Sequence, residues 1–385
     1  MTFNTFFYFY QMIKEIEAKS LLRKFKRVDS WFVARYGMNL YRGCTHNCAY
    51  CDGRAEDYYV EGEFGKDTQV KINAPELLQR ELNPATKRKP MEKGFIMIGG
   101  GVGDSYCSVD NQYELSRKAL KIVSQYNFPV HILTKSVGVT RDIDLLKSIK
   151  DKSQVIISFS FSGIDDETCK VFEPGVPLAS QRLETIFFLK KQGFSVGAFL
   201  MPAIPFVTDS REQLEESIRK LKNAGVDFII FGGMTLKEGS QQNHFYQVLK
   251  SYDSDLISEY KKIYKGDKWG GASYAYYNAL NRRFFDIIRE YGVPSRIPSD
   301  FFSKVIDQND LVAVILDQMD YILKQNGQKS PYGYAAYSVS QLKEPIMEHK
   351  NKLQSLSGVG SFTEKIILEI LDTGTSTYYK KLMFT

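Results

Sequence analysis

The chain has 385 residues, 43% hydrophobic and 25% charged, with a formal net charge of +6. That composition excludes intrinsic disorder and collagen-like repeats, and it predicts one large domain with appendages or two domains. Five cysteines with no disulfide-framework pattern point to a reducing compartment, and no apolar run, including Phe3 to Met12, is long enough to span a bilayer, so a cytoplasmic protein without a membrane partner is expected. In chain order, residues 1–30 carry the basic run Lys19, Arg23, Lys24, Lys26 and Arg27 and are expected as a basic helical segment. A second basic run lies at Lys87, Arg88, Lys89 and Lys93. Charge runs are common on solvated faces, so both give only weak support for a polyanionic partner. Strands are predicted at Phe32 to Met38, Phe95 to Ile98, Val130 to Thr134, Val155 to Phe161, Ser195 to Met201 and Asp227 to Phe231, all rich in Val, Ile and Phe. Helical spacing of apolar residues occurs at Ala74 to Glu81, Asn111 to Tyr126, Asp142 to Ile149, Ala179 to Gln192 and Arg211 to Asn223. Strand and helix alternating at these lengths predict a parallel sheet with right-handed crossovers, an α/β fold of the partial (β/α)6 TIM-type barrel kind with a C-terminal helical extension. The expected organisation is a core over 31–265, a helical extension over 266–328, a linker from Lys329 to Ser340, and a terminal module over 341–385.

The densest chemistry lies in Tyr41-Arg-Gly-Cys-Thr-His-Asn-Cys-Ala-Tyr-Cys51, where Cys44, Cys48 and Cys51 form a CxxxCxxC triplet. Structural zinc favours two pairs of ligands, and the remaining Cys107 and Cys169 stand alone downstream. His46 is conceivable as a fourth ligand but falls inside the first gap. Three close thiolates suit three irons of a 4Fe-4S cluster and leave the fourth iron open to a small molecule. In a parallel sheet, active residues gather where strands end. The predicted second strand ends there in Gly99-Gly100-Gly101-Val-Gly103-Asp104, which allows close approach of a ligand or simply a tight turn. Lys135 ends the third strand, as a ligand-pairing ammonium or a plain surface lysine. Ser158 and Ser160 share one face of the fourth, opposite Phe159 and Phe161.

With Tyr50 as the aromatic residue before the last thiol, the triplet resembles the signature of the radical S-adenosylmethionine (SAM) superfamily. The resemblance implies that SAM chelates the open iron, that Tyr50 lies near its adenine, and that one electron cleaves it to methionine and a hydrogen-abstracting 5'-deoxyadenosyl radical. A low-potential ferredoxin or flavodoxin is the implied electron donor. The chain further resembles the spore photoproduct lyase and DNA repair photolyase-like branch. That likeness rests on Asn39-Leu-Tyr-Arg-Gly-Cys44, Gly103-Asp104-Ser-Tyr106 with Glu114, Leu133-Thr-Lys-Ser136, Arg141-Asp-Ile-Asp-Leu-Leu146, Ser158-Phe-Ser160, Phe172-Glu-Pro174 and Pro202-Ala-Ile-Pro205. By this resemblance Gly99 and Gly100 meet the SAM amino group, and Lys135 and Ser158 contact SAM. In the lyase a cysteine of the glycine-rich segment returns hydrogen to the product; its place falls on Gly101, so Cys107 or Tyr106 takes that role or the reaction differs.

Downstream, Lys268-Trp-Gly-Gly-Ala-Ser-Tyr-Ala-Tyr-Tyr277, with Arg282 and Arg283, resembles the aromatic segment after the lyase barrel, suited either to stacking bases or to packing helices. The terminal run Leu353-Gln-Ser-Leu-Ser-Gly358-Val-Gly360, continuing to Leu371, resembles a helix-hairpin-helix motif. Gly358 and Gly360 would expose backbone amides to a phosphate, with Lys365, Lys380 and Lys381 the nearest cations; a plain tight turn is the other reading. Together these features predict hydrogen abstraction from a nucleic acid, DNA foremost, in lesion repair. The alternatives are modification of a peptide, RNA or small metabolite, and a cluster-bearing nucleic-acid sensor.

Overall fold

The computed structural model describes residues 12–58, 61–86, 90–100 and 102–384. Most of the apolar N-terminal stretch, Lys87, Arg88, Lys89 and Gly101 lie outside the described residues. Among the described residues there are ten strands: β1 (Ile13–Ile16), β2 (Leu22–Lys24), β3 (Ala34–Met38), β4 (Tyr41–Arg42), β5 (Thr68–Lys71), β6 (Phe95–Gly99), β7 (Val130–Thr134), β8 (Val155–Phe161), β9 (Ser195–Ala203) and β10 (Ile229–Gly233). The main sheet runs β10-β9-β8-β7-β6-β3-β2. Its pairs from β3 to β10 are parallel and β2 joins antiparallel, so six parallel strands form the partial barrel expected from the alternation, with β2 and β10 as its edges. A small sheet, β1-β5-β4, flanks it.

Period-two alternation sorts the side chains of each strand. On β8, Val155, Ile157, Phe159 and Phe161 pack into the core beneath the surrounding helices. Ile156 faces inward and shares a second core with Phe95, Phe199, Phe228 and Ile230. The helix Gln308–Gln325 belongs to that inner core through Leu311, Val312, Ile315, Leu316 and Met319. A helix apolar nearly all round must be covered on all sides. This one is covered by the barrel's underside and by Tyr332–Ser340, Ser361–Thr373 and Thr377–Met383.

Three elements differ from expectation. Residues 12–30 hold strands β1 and β2 rather than a helix; β1 lies parallel to β5 and β2 pairs with Tyr36–Met38, so the backbone donors are satisfied between strands. The helix expected from Asn111 to Tyr126 breaks at Glu114, whose φ of 50° is left-handed. The break lets the Asp110 carboxylate accept from the Ser116 amide (3.0 Å) and Arg141 (2.7 Å). The expected linker is largely a helix, Tyr332–Ser340, because Ala335, Ala336 and Val339 bury one face in the inner core despite the Pro, Gly and Ser content. Among the described residues no helix is long and apolar enough to cross a membrane.

Candidate active site

The cysteine loop follows β3, which ends at the carboxyl edge of the main sheet, and starts from β4 of the small flanking sheet. Gly43, with φ of 82°, turns the chain before Cys44. The loop is then tied down on several sides: the Ala49 amide donates to the Phe172 carbonyl (2.8 Å), the Gly175 amide to the His46 carbonyl (3.0 Å), and Arg54 Nε to the Cys48 carbonyl (3.3 Å). Cys44, Cys48 and Cys51 all line one cavity of about 470 Å³, together with Tyr50, Lys135 and Ser160. No disulfide links the cysteines. Burial pushes the Cys44, Cys48 and Cys51 thiols upward, and neighbouring Asp104 near Cys44 and Glu173 near Cys48 add to it. Held as thiolates, the three would need a cation of their own, which the irons of a cluster would supply. Among the described residues no three metal-binding side chains meet around a single point. One ion needs its donors about 2.3 Å away, whereas a four-iron cube takes thiolates at separate corners. The three sulfurs opening on one cavity suit the cube.

Two buried carboxylates organise the walls. Asp104 accepts from His46 Nε2 (3.0 Å), the amides of Lys135 (2.7 Å) and Tyr106 (2.8 Å), and the Thr134 hydroxyl (2.9 Å). Burial would raise its pKa, but the His46 ring and the two amides outweigh burial and hold it below the usual value. His46 also faces the Gly175 carbonyl at 3.1 Å, so both ring nitrogens are engaged and neither is free for iron. Glu173 accepts from Lys135 Nζ (2.8 Å), Arg182 (2.6 Å), Ser162 (2.9 Å) and the Tyr50 hydroxyl. Burial opposes its ionisation, yet Arg182 and Lys135 hold the carboxyl well below the usual range. Lys135 thus sits between Glu173, Ser160 Oγ (3.1 Å) and the Tyr50 ring (5.6 Å to its centre).

Of the expected site residues, Cys44, Cys48, Cys51, Tyr50, Gly100 and Lys135 line the cavity. Gly99 stands behind it: with φ of 79°, its missing Cβ would lie 2.3 Å from the Leu133 carbonyl, so it is glycine because of strand packing. Ser158 does face inward but lies two residues, roughly 7 Å, short of the carboxyl edge. The Phe32 carbonyl accepts from His131 Nδ1 (2.8 Å), which leaves Nε2 to accept the Ser158 hydroxyl proton at 2.8 Å. Ser160 is the cavity hydroxyl, and the alternation placed both serines on one face without saying which was deep enough. Cys107 and Tyr106 are buried outside the wall, the thiol pushed up to about 12 by burial and Asp104, the phenol donating to Asp142 (3.1 Å). Gly358, Gly360 and Lys365 belong to the C-terminal extension, away from this cavity. Gly358 is held by packing, its missing Cβ 2.6 Å from the Ala335 amide nitrogen, and an irregular turn region, Ile346–Ser355, kinked at Lys352, precedes it where the motif would need a first helix. Sequence reasoning gave Asp104 and Glu173 no role; the signal was an acid at a strand's carboxyl edge and an acid before Pro174.

Comparison with known proteins agrees with this geometry. The pattern of the Radical SAM superfamily matches residues 38–221. An uncharacterized protein of Mycobacterium tuberculosis is 28% identical over 281 residues, 72% of this chain and 80% of that protein. An uncharacterized protein of Methanocaldococcus jannaschii is 28% identical over 226 residues, 58% of this chain and 80% of that protein. Among solved structures, spore photoproduct lyase complexed with dinucleoside spore photoproduct superposes with a TM-score of 0.54 at 17% identity, over 72% of this chain and 79% of that one. The same lyase, in a variant with bound AdoMet and the dinucleoside photoproduct, gives 0.52. Cysteine triplet, cavity and matched segment coincide: the three cysteines that line the cavity all fall within residues 38–221, the stretch that is similar to the Radical SAM superfamily.

Proposed function

We propose that the protein is a radical SAM enzyme that abstracts hydrogen from a nucleic acid, DNA foremost, in lesion repair of the spore photoproduct lyase kind. The observation that carries the reading is the convergence of Cys44, Cys48, Cys51, Tyr50, Lys135 and Ser160 on one cavity at the carboxyl edge of the sheet. When bound through the three thiolates, the cluster supplies the electron that cleaves SAM to methionine and a hydrogen-abstracting adenosyl radical. The chain's own residues bind and orient. Lys135 pairs with the SAM carboxylate while Glu173 holds its ammonium in place; Ser160 offers a hydroxyl, Tyr50 a ring face for the adenine, and Gly100 and Gly103 an open backbone for the amino group. Arg182 keeps Glu173 charged from outside the cavity, and His46, at the cavity wall, does the same for Asp104.

Support for a nucleic-acid substrate comes from the segment beyond β10. The Leu236 amide donates to the Gly270 carbonyl (2.8 Å), which holds this segment beside the cavity, and Tyr277 forms part of the wall. Trp269 and Tyr274 are 67% and 82% exposed there, free to stack on bases, with Lys268 over the Trp269 ring. The Gly358 to Gly360 hairpin adds a phosphate contact, and a low-potential ferredoxin or flavodoxin delivers the electron. The test is 5'-deoxyadenosine formation by anaerobically reconstituted, reduced protein with SAM and no DNA, undamaged DNA, or ultraviolet-irradiated DNA. Stimulation by irradiated DNA alone is expected. Cleavage indifferent to both DNAs would sink the repair reading.

A further inference from the structure

A second, larger cleft of about 930 Å³ opens at the amino edge of the sheet, between the turn after β2, the residues leading into β6 and β8, and the C-terminal extension. Lys152 lines it just before β8, whereas Ser160 lines the cluster cavity near the end of that strand, which puts the two openings roughly 20 Å or more apart along the barrel. Some of its charges are already matched. Lys24 pairs with Glu92 (2.8 Å), Arg35 with Asp310, and Lys93 donates to the carbonyls of Tyr126 (2.9 Å) and Asn127 (3.3 Å). Asp307 caps the helix Gln308–Gln325 through the Asn309 amide (2.8 Å). The rest are not. Lys26, Arg27, Lys152, Lys304 and Lys343 line the cleft, are exposed, and make no side-chain hydrogen bond or ion pair with any described residue.

We propose that this cleft binds the phosphate backbone of a nucleic acid, as a contact separate from the cluster cavity. The choice of partner class rests on the function proposed above; the site itself rests on other residues. Unpaired cations facing one another across a concavity repel until an outside anion supplies the counter-charge. Their spread over four separate chain segments suits a repeating anion rather than one phosphate, and a concave wall does not match a flat bilayer. An acidic electron carrier would have to deliver its electron from the wrong end of the barrel. Backbone contacts of this kind carry no sequence readout and are strongly salt-dependent. They would hold a long polymer while the cavity samples it.

The test uses the reconstituted full chain and a fluorescent undamaged 30-base-pair duplex, with anisotropy followed between 50 and 200 mM salt. Lys26→Ser, Arg27→Ser, Lys304→Ser and Lys343→Ser are combined, all at exposed positions, and a Lys26→Glu/Lys304→Glu variant serves as a second probe. Duplex affinity should fall at least tenfold at low salt, and the slope of log K against log salt should shallow by about 0.9 per phosphate contact removed. SAM cleavage without DNA should stay unchanged. Unaltered affinity and slope in both variants would overturn the proposal. So would poly-glutamate displacing the duplex as well as unlabelled duplex of equal charge does, which would assign the cleft to an acidic protein. The two readings fail separately: DNA that never stimulates deoxyadenosine formation removes the repair function, while variant-sensitive duplex binding keeps the cleft.

Discussion

The two ends of the barrel handle charge in opposite ways. At the carboxyl edge each buried charge has its partner within the chain: Lys135 and Arg182 meet Glu173, and His46 meets Asp104. At the amino edge five cations face a cleft with none. A closed network is organised before its ligand arrives and positions it, whereas an open set of like charges waits for the counter-charge and gains strength only when that arrives. The difference separates a place for chemistry from a place for holding.

The comparison can be broken most severely at the cysteines. Cys48→Ala should lose the bound iron and bring SAM cleavage to background; iron content and deoxyadenosine yield after identical reconstitution would check both. Next is Glu173→Gln, which leaves Arg182 buried beside a neutral amide. Breaking one side of a buried pair costs about 3 to 5 kcal/mol, measurable by urea unfolding, and the Glu173→Gln/Arg182→Met double variant should recover part of that loss. The pH dependence of stability comes third. Burial lowers His131 to about 4 from 6.5, so it is neutral in the fold. Between these values the unfolded chain binds more protons, so stability rises with pH across the window and is lost as pH falls from 6.5 towards 4, by about 3 kcal/mol. His131→Gln should flatten that stretch of a stability-against-pH curve.

A finer distinction lies along β8. Ser160→Ala should weaken SAM binding by about tenfold or less with little change in unfolding midpoint, while Ser158→Ala should spare SAM binding and cost about 1 kcal/mol or more by stranding His131. Equilibrium dialysis and urea titration of both variants would reverse the assignment if the effects came out exchanged. The smallest effect is expected at Gly360→Ala: nothing lies within 4 Å of the added Cβ, so the fold is kept. Duplex affinity should then drop less than threefold, since Glu364 in the first turn opposes a phosphate at that helix start.

Strong local signals were legible. The bounds of β7 and β8 were readable from their Val and Ile content, because a fully buried parallel strand leaves little for tertiary context to decide. The cysteine triplet was legible because its spacing is a chemical requirement. What failed was depth and company. Ser158 and Ser160 read alike until the strand's offset from the barrel rim was known, and Cys107 lay near the glycine run in sequence while its side chain turned into the core. The N-terminal basic run carried charge but its strand pairing was set by β3 and β5, distant partners that no local period records. The helix Tyr332–Ser340 was hidden for the converse reason, its turn-forming residues outweighed by three small apolar ones with a surface to cover.

The helix Gln308–Gln325 under the barrel has a bearing on how the molecule is made. Phe95, Ile156, Phe199 and Phe228 leave the ribosome long before the residues that cover them. At about 5 to 20 residues per second, the underside of the sheet stays open for on the order of ten seconds or more. The nascent chain therefore passes through a period with a greasy, half-lined bowl exposed, a natural client for a chaperone. A chain halted after residue 221 would hold every cluster cysteine yet remain in that vulnerable state.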